Sequence, residues 1–313
     1  MSNLSLIRCD SRYDGVRIAL NTIRDEFIDA LFKATTILIK LNFVSVRNQY
    51  SATHVEAVRA VLDFLYEEVG KRKVIIGEGP AGAPLEEGLR NYGYLELIET
   101  YDIEFIDLNK DDALWVKIYD HNLMKRIKVP VSKTALNSGF RISLCGPKTH
   151  DTVVVTLTIK NMVMGAVQTP YKAMVHQSYG AINLSIAELA ELLMPHLAII
   201  DGLEGMEGNG PVAGDLVRWG VFVAGTNPVE VDALTAWLMG FNPEDIGYLY
   251  ILNKRGRGRI EINAIIKKVL GEDPKLVRRR FRPHREFTLQ LRWKDELEKY
   301  WRTTNDVSES GEE

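Results

Sequence analysis

Residues 35–44 read T-T-I-L-I-K-L-N-F-V, and residues 73–83 read K-V-I-I-G-E-G-P-A-G-A. Each segment contains a short apolar run rich in β-branched residues, which is typical of a buried strand. Between them, residues 54–69 carry apolar side chains at helical spacing and end at Gly70. A further predicted strand, I-E-F-I-D-L-N, has Asp107 at its end. This alternation predicts an α/β fold with a mainly parallel sheet flanked by helices.

The pattern changes near residue 113, where W-V-K-I-Y, R-I-K-V-P-V and F-R-I-S-L alternate polar and apolar residues. Such alternation is typical of half-exposed antiparallel strands. We therefore expect an antiparallel portion near 113–145 that forms a second lobe or an insertion. The α/β core is predicted to span residues 1–285, as one unit or as lobes of about 1–112 and 113–285. Residues 286–313 are predicted to form a charged helix and a disordered tail.

The composition excludes several classes of protein. The chain has 313 residues, of which 46% are hydrophobic and 26% charged, as is ordinary for a globular protein of one or two domains. Its two cysteines are too few for a disulfide framework, a four-thiolate zinc site or an iron–sulfur cluster. No apolar run approaches the roughly 18 residues of a membrane span, and the N-terminal residues lack a secretory apolar region. We expect a cytoplasmic protein with no iron–sulfur cluster and no membrane partner.

The strongest candidate site lies between residues 144 and 180. Lys148 and His150 precede the β-branched run V-V-V-T-L-T-I, which predicts a strand, while Lys160 and Asn161 follow it and His176 comes after a loop. Open α/β sheets bind ligands at the ends of their strands. Neutral imidazole binds metals or transfers protons near pH 7, and a desolvated lysine amine is a base or nucleophile. We predict a catalytic group of His150, Lys160, His176 and Lys148, with the two histidines as metal ligands or an acid/base pair.

Polar residues at other predicted strand ends and in nearby loops extend this site. The residues expected to contact substrate are Lys40, Asn42, His54, Glu78, Asn161, Asp201, Gly208 and Gly210. This composition predicts a small anionic ligand, a carboxylate or a phosphate, with an unidentified cofactor that includes a divalent metal such as Ni, Zn or Mg. The alternative is that exposed histidines and lysines merely flank a strand, and the sequence leaves the oligomeric state open.

Two glycine-rich segments suggest phosphate chemistry. Residues 202–214 carry five glycines beside Asp201, Glu204 and Glu207, so this loop either cradles an anion through a bridging cation or is a tight turn. Gly77-x-Gly79-x-x-Gly82 matches the dinucleotide fingerprint and has the expected position after a strand and before a helix. A dinucleotide-binding oxidoreductase is therefore an alternative function. Glu78 and Pro80 within the loop favour a structural turn instead.

Charge is unevenly distributed along the chain. Residues 251–300 hold 15 lysines and arginines against 7 acidic residues, a balance of +8, whereas the whole chain has −3, so the remainder has −11. Phenylalanines and a tryptophan interleave the basic residues, which could bind nucleic acid or act as a scaffold or cofactor carrier. The alternative, which we favour, is a basic face that packs on the acidic remainder. The residues concerned are Lys254, Arg255, Arg257, Arg259, Arg278, Arg279, Arg280, Arg282 and Arg285, with Phe281, Phe287 and Trp293.

The order of these segments resembles the domain-of-unknown-function family numbered 362. The matching segments are I-L-I-K-L-N-F-V, A-T-H-V-E-A-V-R-A-V, G-E-G, G-P-K-T-H, V-T-L-T-I-K-N-M-V-M-G, I-I-D-G-L-E-G-M-E-G-N-G-P-V-A-G and N-P-V-E-V-D-A-L-T-A-W-L-M-G, within about 35–284. Leu41 stands where this family usually has proline. The resemblance implies a fold and a site rather than a reaction.

A second resemblance concerns the site alone. His150, Lys160 and His176 are spaced by ten and then sixteen residues, which is similar to the His-Lys-His spacing of the nickel-pincer lactate racemase family. That resemblance implies a lysine that holds the cofactor covalently and histidines that bind nickel or move protons. In this chain T-L-T-I precedes Lys160, where that family has a glycine-rich sequence. An enzyme of racemase or isomerase type is the corresponding expectation.

Overall fold

The computed structural model describes residues 2–309, with side chains as far as residue 302. The strands are β1 (Leu4–Arg8), β2 (Ile37–Lys40), β3 (Val74–Glu78), β4 (Ile103–Asp107), β5 (Ala113–Tyr119), β6 (Arg126–Ser132), β7 (Phe140–Cys145), β8 (Lys148–Thr149), β9 (Val155–Thr156), β10 (Leu197–Glu207), β11 (Asp215–Gly225) and β12 (Val269–Gly271). The α-helices are α1 (Arg12–Thr22), α2 (Ile28–Lys33), α3 (Val55–Val69), α4 (Leu85–Asn91), α5 (Lys133–Asn137), α6 (Thr158–Ala166), α7 (Lys172–Val175), α8 (Tyr179–Leu193), α9 (Pro228–Leu238), α10 (Gly247–Lys254), α11 (Ile262–Ile265), α12 (Pro274–Val277), α13 (Phe287–Gln290) and α14 (Trp293–Glu309).

The main sheet has the strand order β12-β1-β11-β10-β7-β2-β3-β4. Strands β10, β7, β2, β3 and β4 are parallel, and β11 runs antiparallel to both β10 and β1. Lys40 pairs with Gly77 and with Ser143, so β2, β3 and β7 end at the same edge of the sheet. The predicted α/β fold with a mainly parallel sheet is confirmed, and the shared edge brings the residues after each strand together.

Helices cover both faces of this sheet. Leu38 belongs to one buried apolar cluster, with side chains of α6, α8 and α9, whereas Ile39 belongs to another, with side chains of α1 and α3. Neighbouring residues of β2 point to opposite faces, so a continuously apolar strand is buried on both sides. The sheet therefore has two separate hydrophobic cores.

The predicted antiparallel portion forms a hairpin outside the main sheet. Strands β5 and β6 pair in full register from Ala113 opposite Ser132 to Tyr119 opposite Arg126. The prediction was wrong for residues 140–145, which form the buried strand β7 between β2 and β10. Arg141 made this segment look like a half-exposed strand, because it is a polar residue between apolar ones. In the structure its guanidinium donates to the carbonyls of Leu136 and Ser138 rather than facing water.

The β-branched run after His150 does not form the predicted strand, and it leads into a helix instead. Only Val155–Thr156 is extended, as the short strand β9 paired with β8, and α6 begins at Thr158. The Asp232 carboxylate accepts the N–H groups of Thr158 and Ile159 at 2.9 and 3.0 Å, which caps this helix. Lys160 therefore lies in the first turn of a buried helix.

The glycine-rich loop predicted over residues 202–214 is strand as far as Glu207 and a turn over residues 208–214. Strand β10 continues through Glu207, and only the turn to β11 is irregular. A Cβ atom on Gly202 would lie 2.2 Å from the carbonyl oxygen of Val221, so this glycine permits close strand pairing. Gly208 has φ +74°, which starts the turn. These glycines are explained by strand contact and turn geometry.

The C-terminal part begins with α13 and continues as α14 to Glu309. Residues 310–313, the end of the predicted tail, lie outside the described residues. No helix in residues 2–309 combines the length and the apolar character that crossing a membrane requires.

Candidate active site

A cavity of about 230 Å³ lies at the carboxyl ends of β2 and β3, beneath α6 and α7. It brings together seven of the predicted residues: Lys40, Asn42, Glu78, His150, Lys160, Asn161 and His176. Asp151, Thr156, Met164, Gly165, Lys172 and Pro211 complete much of its wall. Side chains separated by more than 130 positions in the sequence thus line one space.

The floor of the cavity is a buried ion pair. Lys40 pairs with Glu78, and their side chains are 0% and 4% exposed. The Lys40 amine also donates to the carbonyl of Leu41 at 2.6 Å and to Asn161 Oδ1 at 3.3 Å. A Cβ atom on Gly165 would come within 2.0 Å of Lys40 Nζ, so a glycine of α6 makes room for this amine. These bonds offset the cost of burying the charges.

Lys160 lies above this floor and differs from Lys40 in its bonding. Its side chain is 6% exposed, and its amine has no hydrogen-bond acceptor within the part of the chain that the structure describes. Burial lowers its pKa to about 8, with Asp151 opposing this shift and Lys148 adding to it. A fraction of these amines is therefore unprotonated near neutral pH, as a nucleophile or base requires.

His150 and His176 form a facing pair, with ring centroids 6.1 Å apart and an interplanar angle of 29°. His150 Nδ1 accepts the backbone N–H of Thr152 at 3.0 Å, which leaves the proton of the neutral ring on Nε2. His176 Nδ1 lies 3.0 Å from the carbonyl oxygen of Lys172, which can only accept, so Nδ1 carries the proton and Nε2 is bare. His150 can therefore donate a hydrogen bond from Nε2, while Nε2 of His176 can accept a proton.

Both rings are neutral at pH 7. Burial lowers the pKa of His150 to about 3, and the positive charge of Lys160 adds to the effect. Removal from water and Lys160 also lower the pKa of His176, although its position at the mouth leaves part of the ring exposed. The Asp151 carboxylate lies 3.0 Å from His150 Nδ1 and would form an ion pair with a protonated ring.

His150 should make the protein sensitive to acid. The unfolded chain protonates this ring near its ordinary pKa of 6.5, whereas the folded protein resists protonation down to about 3. The contribution of the neutral His150 ring to the free energy of unfolding is complete above pH 6.5 and is lost as the pH falls below that value. In urea unfolding, the wild-type free energy of unfolding minus that of His150→Gln should fall by up to about 1.4 kcal/mol per pH unit below 6.5. The exposed His121→Gln gives the control, and a difference independent of pH for His150→Gln would refute this.

Three predicted residues lie in a second, smaller space of about 30 Å³. His54, Lys148 and Asp201 line it, together with Arg12 and Glu204. Arg12 donates to Asp201 at 2.7 Å and to Glu204 at 3.2 Å, so these carboxylates are paired rather than free for a cation. Burial lowers the pKa of Lys148 and raises that of Asp201. The structure therefore divides the predicted site into two.

Gly208 and Gly210 line neither space. A Cβ atom on Gly210 would meet the carbonyl oxygen of Thr149 at 2.4 Å, and one on Gly208 would meet the Arg282 guanidinium at 2.7 Å. Both glycines pack against protein, and Pro211 reaches the cavity in their place.

The sequence reasoning missed Lys172, Gly165, Thr156 and Asp232. Lys172 is half-buried in the cavity wall, and its amine donates to the carbonyls of Met164 and Val167 at 2.8 and 2.6 Å. It thus caps the C-terminal end of α6, while burial lowers its pKa to about 7. Thr156 Oγ1 is buried without a hydrogen-bond partner in the described residues, as is Asn42 Oδ1. Only tertiary contacts reveal these roles, since no spacing in the sequence signals them.

Metal binding by protein ligands alone has limited support. Within residues 2–302, no three His, Cys, Asp or Glu side chains converge around a common point. His150 and His176 are near enough to share one ion, since metal–nitrogen bonds of about 2 Å place two ring centres within about 6–7 Å. The remaining ligands would have to come from a bound molecule or water.

Gly77 and Gly79 of the dinucleotide fingerprint lie close to other atoms of the protein. A Cβ atom on Gly77 would lie 2.9 Å from Leu38, and one on Gly79 would lie 2.6 Å from the carbonyl oxygen of Gly165. Gly82 has φ +76°, and α4 begins three residues later. With Glu78 directed at Lys40, this geometry favours the structural turn.

Two arginines of the basic segment form ion pairs with acidic residues outside it. Arg255 and Arg257 pair with Glu188 and Glu191 at 2.5 and 2.7 Å. Phe281 and Trp293 are 1% and 2% exposed, so neither is available to stack on a base. The interleaved aromatic pattern therefore reflects packing.

The sequence pattern that defines the family described as Domain of unknown function (DUF362) matches residues 37–237, which include every cavity residue named above. The chain belongs to the DUF362 family. It is 27% identical over 198 residues to a protein of Synechocystis sp. named thylakoid-associated protein, covering 62% of this chain and 59% of that protein.

The solved lactate racemase apoprotein of Thermoanaerobacterium thermosaccharolyticum resembles the DUF362 chain with a TM-score of 0.52 and 13% identity. The superposition covers 77% of this chain and 58% of the racemase. At this identity, the likeness shows a common fold. The chain spans less than two thirds of the length of the Synechocystis protein and of the racemase.

Proposed function

We propose that this DUF362 chain binds a small carboxylate in the 230 Å³ cavity and that His176, which faces His150, takes a proton from it and returns it. The observation that carries the proposal is Lys160, a buried amine with no hydrogen-bond acceptor among the described residues. An ammonium that is largely removed from water and has no acceptor is costly, and a bound carboxylate would supply that acceptor. Lys160 is thus the anchor of the ligand.

The two imidazoles support proton transfer. His176 Nε2 takes the proton as a neutral base and returns it as the imidazolium so formed, while His150 Nε2–H donates a hydrogen bond to the ligand, given the partners of their Nδ1 atoms. Their low pKa values keep both rings in these neutral forms at pH 7. An isomerase or racemase acting beside a carboxylate uses such a pair, so D- and L-lactate are the first compounds to test, given the named neighbour.

Lys160 and the histidines also fit a cofactor carried on lysine. The amine is uncommitted and partly unprotonated, and each imidazole has one ring nitrogen free of protein partners. A metal-containing group of this kind would supply an electrophilic centre that polarises the substrate. Lys160 would hold it, and His150 and His176 would bind the metal or manage the proton.

Binding of lactate should depend on Lys160. Calorimetric titration of the wild-type protein with D-lactate, L-lactate and inorganic phosphate distinguishes a carboxylate site from a phosphate site. Lys160→Met should weaken lactate binding by at least tenfold, because a charge-assisted hydrogen bond contributes about 1.5–3 kcal/mol. Lys117→Met, an exposed lysine on β5, is the matched control. Equal lactate affinity in wild type and Lys160→Met, or no binding by wild type, would overturn the proposal.

The cytoplasmic location predicted from composition belongs to the same proposal. Both cysteines, Cys9 and Cys145, are free thiols, which is compatible with a reducing compartment. Fractionation of the source cells checks it, and recovery with the membranes would contradict it.

A further inference from the structure

A groove of about 1150 Å³ adjoins the cavity and is not accounted for by the proposed function. Asp151 and His176 line both spaces, so the groove leads to the facing imidazoles. One wall is the turn between β5 and β6, and the other is the beginning of α14. This position makes the groove an entry to the cavity.

The sizes of the two spaces indicate an elongated ligand. Sites for small molecules usually enclose about 300–1,000 Å³, and the 230 Å³ cavity alone is smaller than this. Only the reacting end of a ligand would fit beside Lys160, whereas the groove offers room for the rest of it.

The charges of the groove favour an anion. Its acidic side chains are engaged, since Glu296 accepts the backbone N–H of Gly180 at 2.6 Å and Asp151 accepts from Thr152 at 2.8 Å. Lys125 and Arg292 form no ion pair within residues 2–302. Lys125 on one wall and Arg292 near the other are therefore cations with which a bound anion could pair.

Apolar surface lies between the charged groups. Met124 is 73% exposed on the hairpin turn, and Leu123 and Tyr179 also line the groove. Such walls suit methylene groups rather than a second polar unit.

We propose that the groove binds the distal anionic group of an elongated dicarboxylate, with Lys125 and Arg292 as its partners. The other carboxylate lies at Lys160, so this inference rests on the proposed function. The aliphatic part of the ligand lies over Met124 and Leu123, and His176 stands where the groove meets the cavity.

The test compares acids of equal length by calorimetric titration at one ionic strength. The dicarboxylates are succinate, adipate and suberate, and the matched monocarboxylates are butyrate, hexanoate and octanoate. We expect at least one dicarboxylate to bind tenfold or more tightly than its monocarboxylate. In the double variant Lys125→Gln/Arg292→Gln this affinity ratio should fall towards one. In Lys128→Gln, which removes an exposed charge of β6 outside the groove, the ratio should persist.

The outcomes separate the two proposals. Monocarboxylate binding with no gain from a second carboxylate, or a gain that survives in the double variant, would overturn the groove assignment and leave the proposed function standing. Absence of binding by every acid of this series would overturn the groove assignment, and the proposed function falls with it only if the wild-type protein also fails to bind lactate.

Discussion

Removing Lys40 alone should destabilise the protein far more than removing Lys40 and Glu78 together. Both side chains are nearly fully buried, so Lys40→Met leaves an uncompensated carboxylate inside the protein. Losing one member of a buried pair typically costs about 3–5 kcal/mol, whereas replacing both by groups of similar volume is often close to neutral. Lys40→Met/Glu78→Gln should recover most of the loss.

Urea unfolding of the two single variants and the double variant measures this coupling. The pair Lys73–Glu104 is the control, because its side chains are 61% and 47% exposed and Lys73→Met should cost less than about 1 kcal/mol. If the double variant loses as much stability as the sum of the single variants, the two charges are not coupled as described.

Asp232→Ala should also be strongly destabilising and should disorder the start of α6. The carboxylate is fully buried and accepts from the N–H groups of Thr158 and Ile159 and from the Thr158 hydroxyl, at 2.5–3.0 Å. Each buried donor left without a partner costs about 1–3 kcal/mol, so we expect a loss of about 3–5 kcal/mol. Lys160, two positions along the helix, would lose its fixed position.

Asp232→Asn should retain part of this stability. Burial raises the pKa of Asp232 to about 7 against the opposing effect of its hydrogen bonds, and the amide resembles the protonated carboxyl. Urea unfolding and hydrogen exchange of the amides of residues 158–161 measure the effect. Asn227→Ala, which removes the side chain that caps α9 through Glu230, should cost only about 1 kcal/mol. An Asp232→Ala loss no larger than that control would contradict this account.

The parallel part of the fold and its functional edge were predictable from local sequence. Lys40 and Glu78 each end a buried apolar run, and parallel strands bring such ends to one edge regardless of the rest of the fold. His150, Lys160 and His176 were also predicted near this edge, but as residues that flank a strand, whereas the structure places Lys160 in the first turn of α6. Their chemical roles remain predictions, although the structure gathers the three side chains in one cavity.

The position of a residue at a strand end does not reveal on which face of the sheet its side chain lies. For this reason the predicted site is divided between two spaces in the structure. Lys40 follows Leu38 by two positions and so points to the same face of the sheet, which α6 covers. Asp201 follows Ile199 by two positions and so points to the opposite face, which α1 covers. Asp201 therefore meets Arg12 rather than the cavity. Both residues follow similar apolar runs, so the sequence around them looks alike.

Long-range contacts explain the other differences. The segment after Val155 is rich in β-branched residues, yet it starts a helix because Asp232, 74 positions later, caps Thr158. Lys172 likewise closes the other end of α6 by a contact that local spacing does not indicate. Propensity is a weak prior, and buried hydrogen bonds override it here.

The β5–β6 hairpin forms a separate two-stranded sheet, and it packs on α8 without extending the main sheet. Its turn nevertheless supplies a wall of the groove. Insertions or replacements in this arm would leave the ladder of the central sheet intact. Related proteins could thus change the size of the groove by remodelling one peripheral module, while the residues that line the cavity stay fixed.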